Sequence, residues 1–220
     1  MPGPSPNTQL RSIYVVGAPS SGKTTLITAL RSHPHLRSAR FVTEVARTVL
    51  RNQKFQTSDI RASPTASLEL QRAILEAQLQ AEMSSSSPSV SGSPNAPQVP
   101  RAESTLIVSD RSGIDPIVFA AMYGPPGGAR SLLESGTWHN LRSQMRTSLV
   151  VLCEPVEEWL RGDGVRLMPE RKDEEGWSQL HTLFCETLER EKVKYIILPE
   201  HVRSILDRVD FVLRAWADQV

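Results

Sequence analysis

Residues Gly17-Ala18-Pro19-Ser20-Ser21-Gly22-Lys23-Thr24 fit the pattern G-x-x-x-x-G-K-[ST] at every fixed position, between an apolar run from Ile13 to Val16 and a helical pattern through Leu26 and Leu30. This segment commits the chain to a strand, a tight turn and a helix in immediate succession. Backbone N–H groups in such a turn curl around an anion, and the helix that follows aims the positive end of its dipole at the same point. Lys23 is placed for β- and γ-phosphates and Thr24 for a Mg²⁺ ion; the nucleotide-binding set runs from Gly17 to Thr25. A nucleoside-phosphate site is therefore expected where the first strand ends.

The rest of the chain repeats the theme. Short apolar runs at Ile13 to Val16, Arg40 to Thr43, Thr105 to Val108, Ser148 to Leu152 and Tyr195 to Leu198 have strand length and β-branched content, and runs apolar on both faces suit buried parallel strands. Between them lie helical stripes: Leu70, Ile74, Ala77 and Ala81; Trp177, Leu180, Phe184 and Leu188; and Val202, Ile205, Leu206, Val209, Val212, Leu213 and Trp216. These stripes, with Trp138 and Trp159 at helix ends, are expected to be core. Alternating strands and helices predict an α/β fold: one domain, residues 11–220, with about five parallel strands and helices on both faces.

Two stretches stand apart. Residues 1–10 are expected to be a disordered tail, and 83–104, with Ser84-Ser85-Ser86-Ser87-Pro88 and further prolines, lacks the apolar content that offsets the entropy of ordering. The latter is read as an insertion within the domain. The 220 residues carry 25 basic and 24 acidic side chains, so no global field favours nucleic acid or an anionic membrane, and phosphate recognition must be local. No apolar stretch approaches the roughly 18 residues that span a bilayer. Cys153 and Cys185 have neither metal-ligand nor disulfide-framework spacing, and the five histidines show no zinc-like pattern, which fits a cytoplasmic protein.

In an open α/β sheet, ligands gather at the carboxyl ends of strands, so the polar residues there carry the chemistry. Asp110, after the third strand, is the candidate for the Mg²⁺ shell, against an alternative as a helix N-cap that Ser112 could fill equally well. Arg111 beside it would face phosphate or substrate. Glu44 and Arg47 follow the second strand three residues apart: the carboxylate can accept a hydroxyl proton or grip a sugar while the guanidinium steadies phosphate, or the two form an ordinary ion pair. After the fourth strand, the glycine-containing segment with Arg161, Arg166 and Arg171 reads as a lid closing on the triphosphate, or as a solvated mixed-charge loop.

Taken together, the phosphate loop with Thr25, Glu44-x-x-Arg47, Gln71 on the next helix, Asp110-Arg111-Ser112 with Asp115 behind it, and Asp163-Gly164-Val165-Arg166 resemble the NadR-like P-loop NTPase/kinase domain, over residues 11 to 215. The resemblance implies a nucleotide-kinase-like sheet ordered 2-3-1-4-5 and an acceptor pocket built by Glu44, Arg47 and Gln71. It implies Mg²⁺- and ATP-dependent phosphoryl transfer to a nucleoside-like metabolite, with Lys23, Asp110, Glu44, Arg166 and Arg171 as catalytic candidates. A second reading stays open: a regulatory protein that binds ATP or GTP and presents a surface to a protein partner. The absence of an [NT]-K-x-D element disfavours a Ras-type version of it.

Overall fold

The computed structural model describes residues 11–52, 63–84, 106–159 and 174–218. The first apolar run forms β1 (Ile13–Val16), buried along its whole length. Because successive side chains of a strand point to opposite faces, Tyr14 and Val16 enter one half of the core and Ile13 and Val15 the other. The chain then turns through the glycine-bounded loop into α1 (Lys23–Arg31).

The remaining described elements follow in the expected alternation: β2 (Arg40–Val42), α2 (Val45–Asn52), α3 (Pro64–Met83), β3 (Ile107–Asp110), α4 (Ile114–Tyr123), α5 (Gly128–Leu133), α6 (Gly136–Arg146), β4 (Leu149–Cys153), α7 (Glu174–Arg190), β5 (Ile196–Leu198) and α8 (Ile205–Ala217). Short 3₁₀ turns occupy Pro34–Leu36 and Glu157–Trp159. The strands pair in the order β2-β3-β1-β4-β5, all parallel, as the family resemblance implies. β1 is central, and the registers Val15 to Asp110 and Val16 to Leu152 bring the ends of three strands level with the loop at Gly17.

One sheet face is covered by α3, α4, α6 and α7, where Trp177, Leu180, Phe184 and Leu188 are buried as their spacing predicts and Trp138 is buried as expected of a lone aromatic. α1 and α8 cover the other face with Leu26, Ile27, Leu30, Val212 and Trp216. Helix starts follow local chemistry: Ser63 Oγ accepts from Ala66 N at 3.2 Å ahead of Pro64, and Ser135 Oγ accepts from Trp138 N at 3.2 Å. A clamp joins α6 to the end of α7, with Trp138 Nε1 and Arg142 Nη1 both donating to Glu191 Oε2, at 3.1 and 2.9 Å.

Several expectations shift. Leu206, assigned to the apolar stripe of α8, is 76% exposed, while Arg208 is buried in that helix with Val212 and Trp216. β3 lies two residues later than its apolar run because Ser109 and Asp110 continue the ladder with Tyr14 and Val15. α3 continues through Met83, one residue into the stretch read as an insertion. Its buried stripe also holds polar members: Tyr14 Oη donates to Glu82 Oε2 at 2.7 Å, and Gln78 Nε2 donates to Glu82 Oε1 at 2.7 Å and Ser109 Oγ at 3.1 Å. Arg40 donates to the carbonyls of Ala81 and Glu82, and burial pushes the Glu82 carboxyl above its ordinary pKa. The expected tail 1–10, the bulk of the insertion and the arginines at 161, 166 and 171 lie outside the described residues.

Candidate functional site

The loop between β1 and α1 has the backbone that its glycines permit. Gly17 (φ 129) passes so close to β4 that a Cβ there would stand 2.7 Å from the Cys153 carbonyl oxygen, and Gly22 (φ 79) is the N-cap of α1. No side chain caps this helix and its first turn holds no acidic residue, so its leading N–H groups are open to an anion. Ala18 and Pro19 are buried in the loop, and Ser21 Oγ donates to the Ala18 carbonyl at 2.9 Å.

Lys23, 4% exposed, folds back over the loop, where its ammonium donates to the Ala18 carbonyl and to Ser21 Oγ. Burial, then the nearby positive charge of Arg111, lowers its pKa from 10.5 to about 7. Such a group regains its charge when an anion arrives. Thr24, exposed at the helix start, donates from Oγ1 to Asp110 Oδ2 at 2.7 Å, joining residues 86 positions apart in the chain. Thr25 is exposed beside it.

The helix after β3 is closed by residues other than Asp110. Ser112 Oγ accepts from Ile114 N at 3.2 Å, and Asp115 Oδ2 accepts from Ser112 N at 2.9 Å. Arg111 Nη1 donates to Asp115 Oδ1 at 2.8 Å, and burial raises the Asp115 pKa against the pull of Arg111 and Lys23. The N-cap position of α4 is Gly113 and no side chain caps it, so Asp110, bonded to Thr24, contributes a carboxylate to the mouth of the loop.

A cleft opens beside these groups, lined by Thr24, Glu44, Val45, Ala46, Arg47, Ile74, Gln78, Asp110, Arg111, Ser112, Asp115 and Pro116. Glu44 leads into α2, its carbonyl accepting from Thr48 N at 2.9 Å. Arg47 Nη1 donates to both Glu44 carboxylate oxygens, at 3.0 and 2.8 Å, so the ion pair foreseen as an alternative forms while both residues still face the cleft. Glu44 (φ 60) and Arg111 (φ 83), which line this cleft, and Ser20 (φ 60) in the loop hold left-handed backbone. That conformation is costly for side chains with a Cβ, and such strain concentrates at functional sites.

Gln71 is buried on α3 and does not line the cleft; Gln78, two turns on, does. Sequence reasoning passed over Gln78 because its neighbours Ile74 and Ala77 define an apolar stripe. It also passed over Arg208, which sits at the back of the loop: Nη2 donates to the Ser21 carbonyl at 2.9 Å, and the guanidinium stacks 5.2 Å from the ring centre of Trp159. Nothing local to either residue signals a partner 187 positions away.

Thr24 and Asp110 offer one hydroxyl and one carboxylate, the hard oxygen donors that suit Mg²⁺. Among the described residues no group of three or more His, Cys, Asp or Glu could hold a metal alone, so an ion here would take its other ligands from phosphate and water. Among the same residues no helix is long and apolar enough to cross a membrane.

Solved structures share this architecture. A NadR protein in complex with NAD and AMP-PNP superposes with a TM-score of 0.65 at 17% identity, covering 96% of this chain and 50% of the NadR chain. A NadR protein in complex with NR gives 0.65 at 20% identity, covering 96% and 52%. A deoxyadenosine kinase from M. mycoides, with dCMP and dCDP, gives 0.58 at 10% identity, covering 94% and 98%. The chain thus spans about half the length of the NadR proteins and nearly all of the deoxyadenosine kinase, and shares with them a nucleotide-kinase-like P-loop fold. No curated protein matches the chain. A family profile described as AAA domain matches residues 12–204, and the chain belongs to that family.

Proposed function

We propose that this domain is a Mg²⁺- and ATP-dependent kinase that transfers a phosphoryl group to a hydroxyl of a nucleoside-like metabolite. The observation that carries this reading is the cleft itself, which sets the Thr24–Asp110 pair of the phosphate loop against Glu44, Arg47 and Arg111 in one cavity. A switch needs only the first group; a second set of charged residues facing it is what an acceptor hydroxyl would meet. Structural likeness to NadR and to a deoxyadenosine kinase supports the same class of acceptor.

In this reading the loop amides and Lys23 hold the β- and γ-phosphates. Lys23 leaves the Ala18 carbonyl for the anion and becomes fully charged as it does so. Thr24 and Asp110 would hold Mg²⁺, which neutralises phosphate charge when bound. Glu44 receives the acceptor proton once Arg47 releases it toward phosphate, and Arg111 stays aligned by Asp115. The acceptor oxygen then bonds to the γ-phosphorus as its bond to the bridging oxygen breaks, and ADP leaves. Arg166 and Arg171 retain their proposed part, neutralising charge on the transferring group.

The bidentate Glu44–Arg47 pair favours one competing reading, an ATP- or GTP-binding regulator, since a carboxylate held by a guanidinium is a poor base until it is released. A screen of nucleosides and ribosylnicotinamide with Mg·ATP and Mg·GTP, detecting phosphorylated acceptor by mass, separates the two. Product with one acceptor supports the kinase; nucleotide binding without product from any acceptor supports the regulator.

A further inference from the structure

Arg208 is the second-largest fully buried side chain, 2% exposed, and no carboxylate pairs with it among the described residues. Its partners are two backbone carbonyls, Ser21 at 2.9 Å and Val202 at 3.3 Å, the buried Cys153 thiol and the face of Trp159; its Nε is buried with no acceptor. A buried guanidinium with no carboxylate partner among the described residues carries a desolvation cost. Its place behind the phosphate loop gives that cost a use.

The Ser21 carbonyl and the Gly22 N–H belong to one planar trans peptide, in which C=O and N–H point in opposite directions. A donor that holds the Ser21 oxygen on the α8 side therefore aims the Gly22 N–H away from α8. Gly22 is fitted for this arrangement: its φ is 79, and a Cβ there would stand 2.9 Å from the Trp159 ring that stacks on Arg208, so glycine lets the ring come this close to the backbone. The same cation adds positive potential behind the loop, where burial keeps it from being screened.

Resting on the phosphate-site reading above, we propose that Arg208 is a positioning residue for that site: it orients the Ser21–Gly22 peptide so that its N–H meets a phosphate oxygen, and the bound polyphosphate supplies the anion that Arg208 lacks. Trp159 holds the guanidinium in place by stacking. The terminal helix α8 thereby becomes part of the nucleotide site without touching nucleotide.

The test titrates inorganic tripolyphosphate into the full chain by calorimetry, well below the unfolding temperature and at two salt concentrations, for the wild type, Arg208→Met and Arg208→Gln. Arg208→Met should bind about tenfold to a hundredfold more weakly, the scale of one charge-assisted hydrogen bond, with a shallower dependence on salt and an unchanged circular dichroism spectrum. Arg208→Gln keeps an N–H donor but no charge and should fall between the two. A merely structural arginine would shift the unfolding temperature and leave affinity and salt slope alone, and that result overturns the proposal. Should the Met variant fail to fold, the Gln variant decides: weakened binding supports the proposal and wild-type affinity overturns it. If the wild-type chain itself binds no tripolyphosphate, the phosphate-site reading falls first; if all three proteins bind alike, only the role of Arg208 does.

Discussion

Replacing Lys23 with Met should separate the cost of burying a charge from its use. The ammonium is packed under the Ala18 carbonyl with its pKa lowered from 10.5 to about 7, chiefly by burial. At 1.36 kcal/mol per pKa unit, that fall corresponds to roughly 5 kcal/mol of destabilisation wherever the group is charged in both the folded and unfolded chain, below about pH 7. Between about 7 and 10.5 the unfolded chain binds the proton and the folded chain does not, so stability of the ligand-free protein rises with pH. Lys23→Met should therefore stabilise the ligand-free domain most at pH 6 and little near pH 10. Nucleotide reverses the preference, because a triphosphate restores the charge and binding takes up a proton. Above about pH 7, wild-type affinity for Mg·ATP should fall by up to about tenfold per pH unit relative to the Met variant, whose affinity should be weak with no such lysine-linked decline. Calorimetry in buffers of different ionisation enthalpy measures that proton directly. Equal pH profiles and equal proton uptake in the two proteins would refute the assignment of Lys23 to the phosphates.

Other perturbations probe separate parts of the account. Asp110→Asn should raise the Mg²⁺ concentration needed for tight ATP binding while the fold survives, since Asp110 does not cap α4; an unchanged metal titration would return Asp110 to a structural role. Gly17→Ala should lower stability by roughly 2–5 kcal/mol, combining the cost of a Cβ at φ 129 with its approach to the Cys153 backbone, and a thermal melt like the wild type would show that the loop can move away. Tyr14→Phe removes one of the donors to buried Glu82 and should cost about 1–3 kcal/mol by chemical denaturation; no change would mean that the network carries no net stability.

The strands were legible because each carries a short apolar run, although β3 goes on past its run into Ser109 and Asp110, and the strand order followed from the resemblance that the motifs carried. The phosphate loop was legible because its chemistry lies within eight consecutive residues. Asp110 was legible because a carboxylate at the end of an apolar strand is locally conspicuous. What escaped was held together by long-range contacts. Arg208 sits one residue from Val209 in a stripe that reads as core, and its partner Ser21 is at the other end of the chain. Leu206 was assigned inward by spacing alone, although the helix turns that position to solvent. Gln78 and Glu82 continue the buried side of α3 beyond Leu75, and polar partners on the sheet, Tyr14 of β1 and Ser109 of β3, make polar residues acceptable there. Periodicity identifies a face but not the chemistry of what meets it.

If the cleft carries out transfer rather than signalling occupancy, the fate of the γ-phosphoryl group reveals it. With γ-labelled Mg·ATP and each candidate nucleoside in a single turnover, the label should move to an acceptor at a rate that depends on acceptor concentration and is lost in Glu44→Gln. Label appearing only as inorganic phosphate, or remaining on tightly bound ATP whatever acceptor is present, would contradict it.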